Sequence, residues 1–379
     1  MIPKKDLEKT LGELKQRIKD ASFTNDLVEK TKEKALAGIA PIEEVAALLR
    51  YKEQLAPKII KAAKGVNEEL FQKVIEFYAV SYISDHCVNA CTYCGLSVNN
   101  PRKREKLSIE EIEKDFAEAL KFGATDLCIL AGEDIRNANP DFLARAANIA
   151  FWLSKSLERV TFNVAPMTTR QFQRVREQVR GPLQFRIFQE SYDKEEYQKH
   201  HPRGPKSNYK FRLYAQERAL QAGFDFVGIG SLLGLNSDNS EYLHFGHDFE
   251  ILAMVAHAYH LKEISGSFPC SMSIPRLQAA EGCKGLVSND VDDERYVFYN
   301  AILKLAMPES RLIVTRRESK DMMDKLRPMI NIEDLATRPG VGGNYRASAN
   351  FQNKLNDCRS SEEIIAGVRE KGYFPKIVF

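Results

Sequence analysis

From Phe77 onward this chain alternates short apolar runs with amphipathic helical stretches, and no other feature constrains its fold as much. The apolar runs lie at Phe77–Ile83, Asp126–Ala131, Val160–Ala165, Gln184–Gln189, Phe226–Ser231, Ser271–Ile274 and Leu312–Thr315, with an eighth near Met329–Ile332. Helical spacing fills the gaps, as in Ser108–Lys121, Tyr209–Ala222 and Phe249–Leu261. Strands joined through helices pair in parallel, because the crossover returns the chain to the same edge. About eight such units favour closure into a (β/α)8 TIM-type barrel over an open doubly wound sheet.

The 379 residues exceed what such a barrel needs, about 250, so extensions are expected. Residues 1–70 are rich in Lys, Glu, Ala and Leu, and Ile42-Glu43-Glu44-Val45-Ala46-Ala47-Leu48-Leu49 has helical apolar spacing. They are expected to form a helical extension packed on a barrel of residues 71–335; a partner-binding arm is the other use for them. Residues 336–379 are expected to form a short C-terminal cap.

Polar residues recur where the apolar runs end. Gly132-Glu133 follows the second, Asn163 and Pro166 the third, Gln189-Glu190 the fourth. Gly228-Ile229-Gly230 marks the fifth, Ser273 and Arg276 the sixth, and Arg316-Arg317-Glu318 the seventh. In a barrel of this kind the C-terminal strand ends hold the active site.

Directly after the first run, Cys87, Cys91 and Cys94 stand in the spacing C-x-x-x-C-x-x-C. Three thiolates can hold three irons of a four-iron cluster and leave the fourth open to a small molecule, which makes a reactive centre. Zinc would want a fourth ligand, and His86, adjacent to Cys87, is poorly placed to close a tetrahedron. A disulfide framework suits a short secreted chain, not this one. Cys128, Cys270, Cys283 and Cys358 are dispersed and read as packing residues. The net charge of +3 on a balanced charged surface implies no nucleic-acid partner. No run resembles a transmembrane helix, and Met1-Ile2-Pro3-Lys4-Lys5-Asp6 is not a signal peptide. With a thiolate cluster, a cytoplasmic setting is expected.

The cysteine motif resembles that of the radical S-adenosylmethionine (SAM) enzymes. Later blocks narrow the resemblance to the aromatic amino-acid lyases. These are Cys94-Gly95-Leu96-Ser97 with Lys103-Arg104-Glu105-Lys106-Leu107, Gly132-Glu133, and Phe188-Gln189-Glu190-Ser191-Tyr192 with Tyr197. His200-His201-Pro202-Arg203-Gly204-Pro205-Lys206, Gly228–Leu235, Ser273-Ile274-Pro275-Arg276 and Arg317-Glu318 agree. The thiamine-pathway and hydrogenase-maturation tyrosine lyases and a tryptophan lyase share these blocks, from about Ile42 to the end of the chain.

The resemblance implies a [4Fe-4S] cluster on Cys87, Cys91 and Cys94, with SAM on the open iron yielding a 5′-deoxyadenosyl radical. It implies SAM contacts from Glu133 to the ammonium, Arg212 to the carboxylate, and Glu190, Asn163 and Gln189 near the ribose. Gly228 and Gly230 would let backbone approach adenine. Tyr93, like Tyr82, reads equally as a core residue or a site residue. A free amino-acid carboxylate would meet Arg317 and Arg276, with Ser273 as a hydroxyl neighbour. The implied reaction splits L-tyrosine into 2-iminoacetate (dehydroglycine) and p-cresol; cleavage of tryptophan to 3-methylindole-2-carboxylate is the alternative, and a cluster-bearing assembly scaffold is an alternative of another class. The implied partners are the amino acid, an electron donor such as a flavodoxin or ferredoxin, and a thiazole synthase receiving the dehydroglycine.

Two departures bear on the substrate. The family's S-x-P-R-x-R-P reads Ser273-Ile274-Pro275-Arg276-Leu277-Gln278-Ala279 here, so a second arginine is Gln278. Its T-R-E motif reads Thr315-Arg316-Arg317-Glu318, which adds Arg316. The turn Gly340-Val341-Gly342-Gly343-Asn344-Tyr345 is longer than the family's P-G-G-Y. The further cysteine-bearing domain of the hydrogenase-maturation lyases is not expected, nor is carbon monoxide or cyanide production.

Overall fold

The computed structural model describes residues 6–235, 246–280, 282–283, 291–335, 338–346 and 355–379. Eight parallel strands build the expected barrel: β1 (Val74–Ser84), β2 (Asp126–Ala131), β3 (Arg159–Asn163), β4 (Leu183–Arg186), β5 (Phe226–Gly230), β6 (Ser271–Ser273), β7 (Arg311–Leu312) and β8 (Ile332–Asp334). They run in the order β7-β6-β5-β4-β3-β2-β1-β8, and the parallel bridge Ile313–Ile332 joins the two ends. A ninth strand, β9 (Phe374–Lys376), pairs in parallel with the first residues of β1.

Most strands lie within two or three residues of the sequence expectation. The eighth is displaced because Met329 and Ile330 close a turn onto Leu326 O, so their apolar side chains pack at the end of helix Lys320–Leu326. The expected helix over Tyr209–Ala222 divides at Tyr214 into Tyr209–Leu213 and Ala215–Gln221.

Helix starts follow from local chemistry. Ser108 and Glu111, Thr168 and Gln171, and Ser360 and Glu363 form capping boxes that satisfy the first free N–H groups of three helices. Four helices precede the barrel: Leu7–Asp20, Leu27–Leu36, Ile42–Arg50 and Lys52–Phe71. Helix Lys52–Phe71 packs on Asp293–Ala306 and helix Leu7–Asp20 on Gly246–Ser265, so their apolar faces join the single large core. Lys15–Asp193 and Lys52–Asp248, both at 2.7 Å, pin the extension to the barrel. Past β8 the chain crosses the barrel mouth, where Val341 bridges Tyr82, and ends at β9 on the opposite rim.

The N-terminal end of the barrel is closed by charge. Glu76 on β1 accepts from Arg159 Nη2 at 3.1 Å and Arg311 Nε at 3.0 Å, with Lys376 Nζ at 3.7 Å. A polar layer follows, in which Thr161 Oγ1 lies 2.8 Å from Asp126 and 3.0 Å from Gln184, and Gln184 donates to Ser271 Oγ at 2.7 Å. With this end filled, the barrel opens only toward its C-terminal rim.

Candidate active site

At that rim the residues after all eight strands enclose a cavity of about 190 Å³. Its wall includes Cys87, Cys91, Cys94, Glu133, Asn163, Glu190, Arg212, Tyr93, Ser273, Arg316 and Arg317. Chain positions spread over more than two hundred residues thus meet in one space.

The cysteine loop owes its course to backbone pairing. The β1–β2 register slips between Tyr82 and Ser84, a bulge that turns the chain inward just before Cys87. Val88 N donates to Glu133 O, Ala90 N to Arg203 O and Thr92 N to His200 O. Arg104 donates to the carbonyls of Asp85, Leu96 and Ser97, and Arg102 to Gly95 O. The loop also needs Gly132, because a Cβ there would lie 2.4 Å from His86 O.

The three thiols share the cavity, but among the described residues no three His, Cys, Asp or Glu side chains converge on one ion position. A cube takes one thiolate per iron, and the three thiols lining this cavity can supply three of its corners. Burial pushes the Cys87 thiol up, and the Glu133 carboxylate adds to the shift. Burial pushes Cys91 up as well. Both are poor thiolates alone and gain their charge from the iron they hold. The residues therefore fit a cluster bound on three corners.

Beside the cysteines four buried charges interlock. Arg212 Nη1 donates to Glu133 Oε1 at 2.7 Å and Nη2 to Glu190 Oε1 at 3.3 Å. Lys206 Nζ donates to Glu190 Oε1 at 2.7 Å and lies 3.7 Å from Glu133 Oε1. Burial alone would raise both carboxyls, but the Arg212 and Lys206 charges outweigh it and hold both below the ordinary value. Asn89, inside the cysteine motif, donates to Glu133 Oε2 at 3.0 Å and accepts from Lys206 N at 2.9 Å. Glu190 adopts φ +73°, which is unusual for a non-glycine residue. Its carbonyl is held there by Leu232 N at 2.8 Å and Ser231 Oγ at 2.9 Å.

Tyr93 is fixed by His201. The imidazole donates from Nδ1 to Tyr197 O at 2.6 Å and accepts the phenol proton at Nε2, 2.9 Å away. Burial, reinforced by Lys206 and Arg212, pushes its pKa down to about 2, so the ring stays neutral and can accept.

Several expected contacts fall elsewhere. Pro275, Leu277 and Gln278 line the cavity, whereas Arg276 does not, because its side chain is held on Glu318 and Asp293. Its guanidinium pairs with Glu318, lies 2.9 Å from Asp293 and covers the Tyr296 ring at 4.7 Å. Gln189 is buried off the cavity, between Phe188 and Glu190, which both line it. Gly228 and Gly230 do not line the cavity either. A Cβ on Gly228 would lie 2.6 Å from Ser271 Oγ and 2.8 Å from Arg186 Cγ, and one on Gly230 2.4 Å from the Phe188 ring. These glycines make room for neighbouring side chains.

The structure adds residues that the sequence reading passed over. Lys206, the last residue of the block His200–Lys206, lines the cavity and pairs with Glu190. Arg186 and Asp334 line the cavity too, and Cys128, expected as packing, faces it. Cys358, also expected as packing, is exposed.

A barrel open at its C-terminal rim, with three cysteines after β1 and an ionic cluster beside them, is the architecture of a radical SAM enzyme, and the model of the radical SAM superfamily matches residues 81–245. The 2-iminoacetate synthase of Escherichia coli (strain K12) is 28% identical over 331 residues, covering 86% of this chain and 82% of that protein. A crystal structure of HydG, a maturase of the [FeFe]-hydrogenase, is 30% identical with a TM-score of 0.86, covering 96% of this chain and 79% of that one. HydG from Carboxydothermus hydrogenoformans gives 28% and 0.84, covering 98% and 84%. Methylornithine synthase, at 20% identity and a TM-score of 0.72, shares the fold.

The chain belongs to the radical SAM superfamily and, within it, to the aromatic amino-acid lyases. Its cofactors are a [4Fe-4S] cluster and SAM, and the family takes a small-molecule substrate and a reductant. Among the described residues no helix is long and apolar enough to cross a membrane.

Proposed function

We propose that this enzyme cleaves free L-tyrosine between Cα and Cβ, giving 2-iminoacetate (dehydroglycine) and p-cresol. The observation that carries the reading is one cavity lined both by the three cysteines and by the uncommitted Arg317 guanidinium. The Arg317 side chain makes no hydrogen bond or ion pair within 4 Å among the described residues, while its backbone carbonyl accepts from Asn356 Nδ2 at 2.6 Å. Similarity to 2-iminoacetate synthase supports the same product.

In this reading Cys87, Cys91 and Cys94 hold the cluster. Glu133 takes the ammonium of SAM and Arg212 its carboxylate, each exchanging part of its present ion pair for the ligand. Glu190 and Asn163 serve the ribose. When bound, the cluster and SAM supply the 5′-deoxyadenosyl radical that removes a substrate hydrogen. Arg317 binds the substrate carboxylate, and a planar fork orients it as a lysine could not. Arg316, which donates to Arg359 O at 3.0 Å, adds charge beside it. Ser273, which lines the cavity, donates to Ile313 O at 2.9 Å and keeps its hydroxyl oxygen able to accept. The ionic cluster and apolar walls keep water from the radical. A flavodoxin or ferredoxin would supply the electron, and a thiazole synthase would accept the imine.

The test is anaerobic, reconstituted protein with SAM, dithionite and either L-tyrosine or L-tryptophan. p-Cresol and 5′-deoxyadenosine from tyrosine support the reading. An indolic product from tryptophan, with no p-cresol from tyrosine, replaces it. No 5′-deoxyadenosine under any condition makes the chain a scaffold instead.

A further inference from the structure

Arg186, the last residue of β4, is 4% exposed and lines the cavity from deep within the barrel. Its Nη1 is buried with no hydrogen-bond partner, and the residue makes no ion pair among the described residues. The guanidinium sits over the Tyr78 ring at 5.1 Å, beside the Cys128 thiol. The nearby carboxylate of Asp126 is already taken by Thr161 at 2.8 Å and Arg159 at 3.3 Å. Gly228, opposite Arg186 in the β4–β5 ladder, provides the space for its stem.

A guanidinium stays charged when buried, and here its near neighbours are the Cys128 thiol, which it hydrogen-bonds, and the Asp126 carboxylate, already bonded elsewhere, so Nη1 keeps donor capacity to spare. It only donates hydrogen bonds. Its surroundings are therefore complete when something in the cavity accepts from it. Arg317 follows β7 at the mouth, and the wall between includes Val80, Leu130 and Ile313. An amino acid whose carboxylate meets Arg317 would run its side chain through this apolar belt toward Arg186.

Building on the aromatic amino-acid reading, we propose that Arg186 is a specificity-determining residue that selects substrates with a hydrogen-bond acceptor at the far end of the side chain, a phenol oxygen or a carboxylate. Tyrosine meets this demand. Phenylalanine offers nothing there, and the indole nitrogen of tryptophan only donates.

The test is amino-acid binding to the reconstituted holoenzyme with SAM present, read by calorimetry. The ligands are L-tyrosine, 4-carboxy-L-phenylalanine, L-phenylalanine, L-tryptophan and L-2-aminoadipate. Wild type is expected to bind the first two about 10- to 100-fold more tightly than phenylalanine or tryptophan, as a charged hydrogen bond provides. Arg186→Leu is expected to lose that ratio while holding phenylalanine affinity within about threefold, and Arg186→Lys to restore part of it. Equal affinity of wild type for tyrosine and phenylalanine, or an unchanged ratio in Arg186→Leu, overturns the assignment and leaves the aromatic reading standing. Arg186-dependent binding of 2-aminoadipate alone keeps the assignment and removes the aromatic reading. The wild-type comparison stands even if neither variant folds.

Discussion

Lys206 Nζ lies 2.7 Å from Glu190 Oε1, so a lysine of the 3-10 turn Pro205–Ser207 neutralises a carboxylate just past β4. The lysine is about nine-tenths buried, and so is its partner's carboxylate. Neither charge has water to fall back on, and the pair depends on Arg212 and Glu133 for the rest of its balance.

Removing the lysine is therefore expected to disturb the SAM site before the cluster site. Lys206→Met leaves two carboxylates facing Arg212 alone. SAM affinity should fall about tenfold or more, and stability by no more than about 3–5 kcal/mol. Iron content and cluster absorbance should stay close to wild type, because the cysteine loop keeps its backbone bonds and Cys91 loses only the through-space charge of Lys206. Calorimetry with SAM and an iron assay on the same sample separate the two. Loss of iron in step with SAM binding would make Lys206 a prop of the cysteine loop instead.

The backbone of Glu190 supplies a second prediction. At φ +73° a residue with a Cβ is strained, while glycine is not. Glu190→Ala and Glu190→Gly both remove the carboxylate, so they differ only in backbone. Glu190→Gly should be the more stable by about 1–2 kcal/mol, read as the gap between thermal midpoints of the two variants. Equal midpoints would mean that the surrounding hydrogen bonds do not impose this conformation.

Much of this arrangement was legible in the chain before folding. The barrel followed from strand-helix alternation, because apolar periodicity is local. Cys87, Cys91 and Cys94 were legible because their spacing is short. Glu133, Glu190 and Arg212 were legible as positions through family resemblance, but their mutual ion pairs were not, since separations of 22 to 79 residues leave no trace in a linear pattern. Arg276 lies off the cavity because Glu318 and Asp293, 42 and 17 residues away, hold its guanidinium, and partners so distant leave no mark on the motif. Arg186 left a signal that went unread: a charge ending Leu183-Gln184-Phe185-Arg186 in step with Gln184, on the face that points into the barrel.

Stability at low pH should depend on the opposite end of the barrel. Burial would raise the Glu76 carboxyl, but Arg159, Arg311 and Lys376 outweigh it and hold it below its ordinary value. A depressed folded value stabilises the protein above the unfolded value and loses that contribution as pH falls through the folded one. Glu76→Gln should cost about 1–3 kcal/mol near neutrality, since it takes the carboxylate from the buried Arg159, which keeps Asp126 at 3.3 Å, and from the partly exposed Arg311. The gap between wild type and variant should narrow below roughly pH 4. Urea unfolding at pH 7 and at about pH 3 checks both statements; a constant gap would exclude titration of Glu76 as the cause.

The two strand-end arginines that the sequence offered for the substrate carboxylate should part company under mutation. Arg276 is locked to Glu318, which is 2% exposed, and to Asp293, so Arg276→Ala strands a buried carboxylate. That variant should lose about 3–5 kcal/mol of stability, with KM for the amino acid little changed in whatever folded enzyme remains. Arg317 makes no such pair among the described residues and faces the cavity. Arg317→Ala should leave thermal stability within about 0.5 kcal/mol of wild type, as a side chain without partners permits. Its KM should rise about 10- to 100-fold through loss of the charged fork. Lys at position 317 should recover only part of the affinity, because a point charge cannot grip both carboxylate oxygens in one plane. Thermal melts and steady-state kinetics on the two alanine variants decide the matter. A large KM rise in Arg276→Ala with normal stability would return that residue to the substrate and require its side chain to swing into the cavity when the amino acid binds.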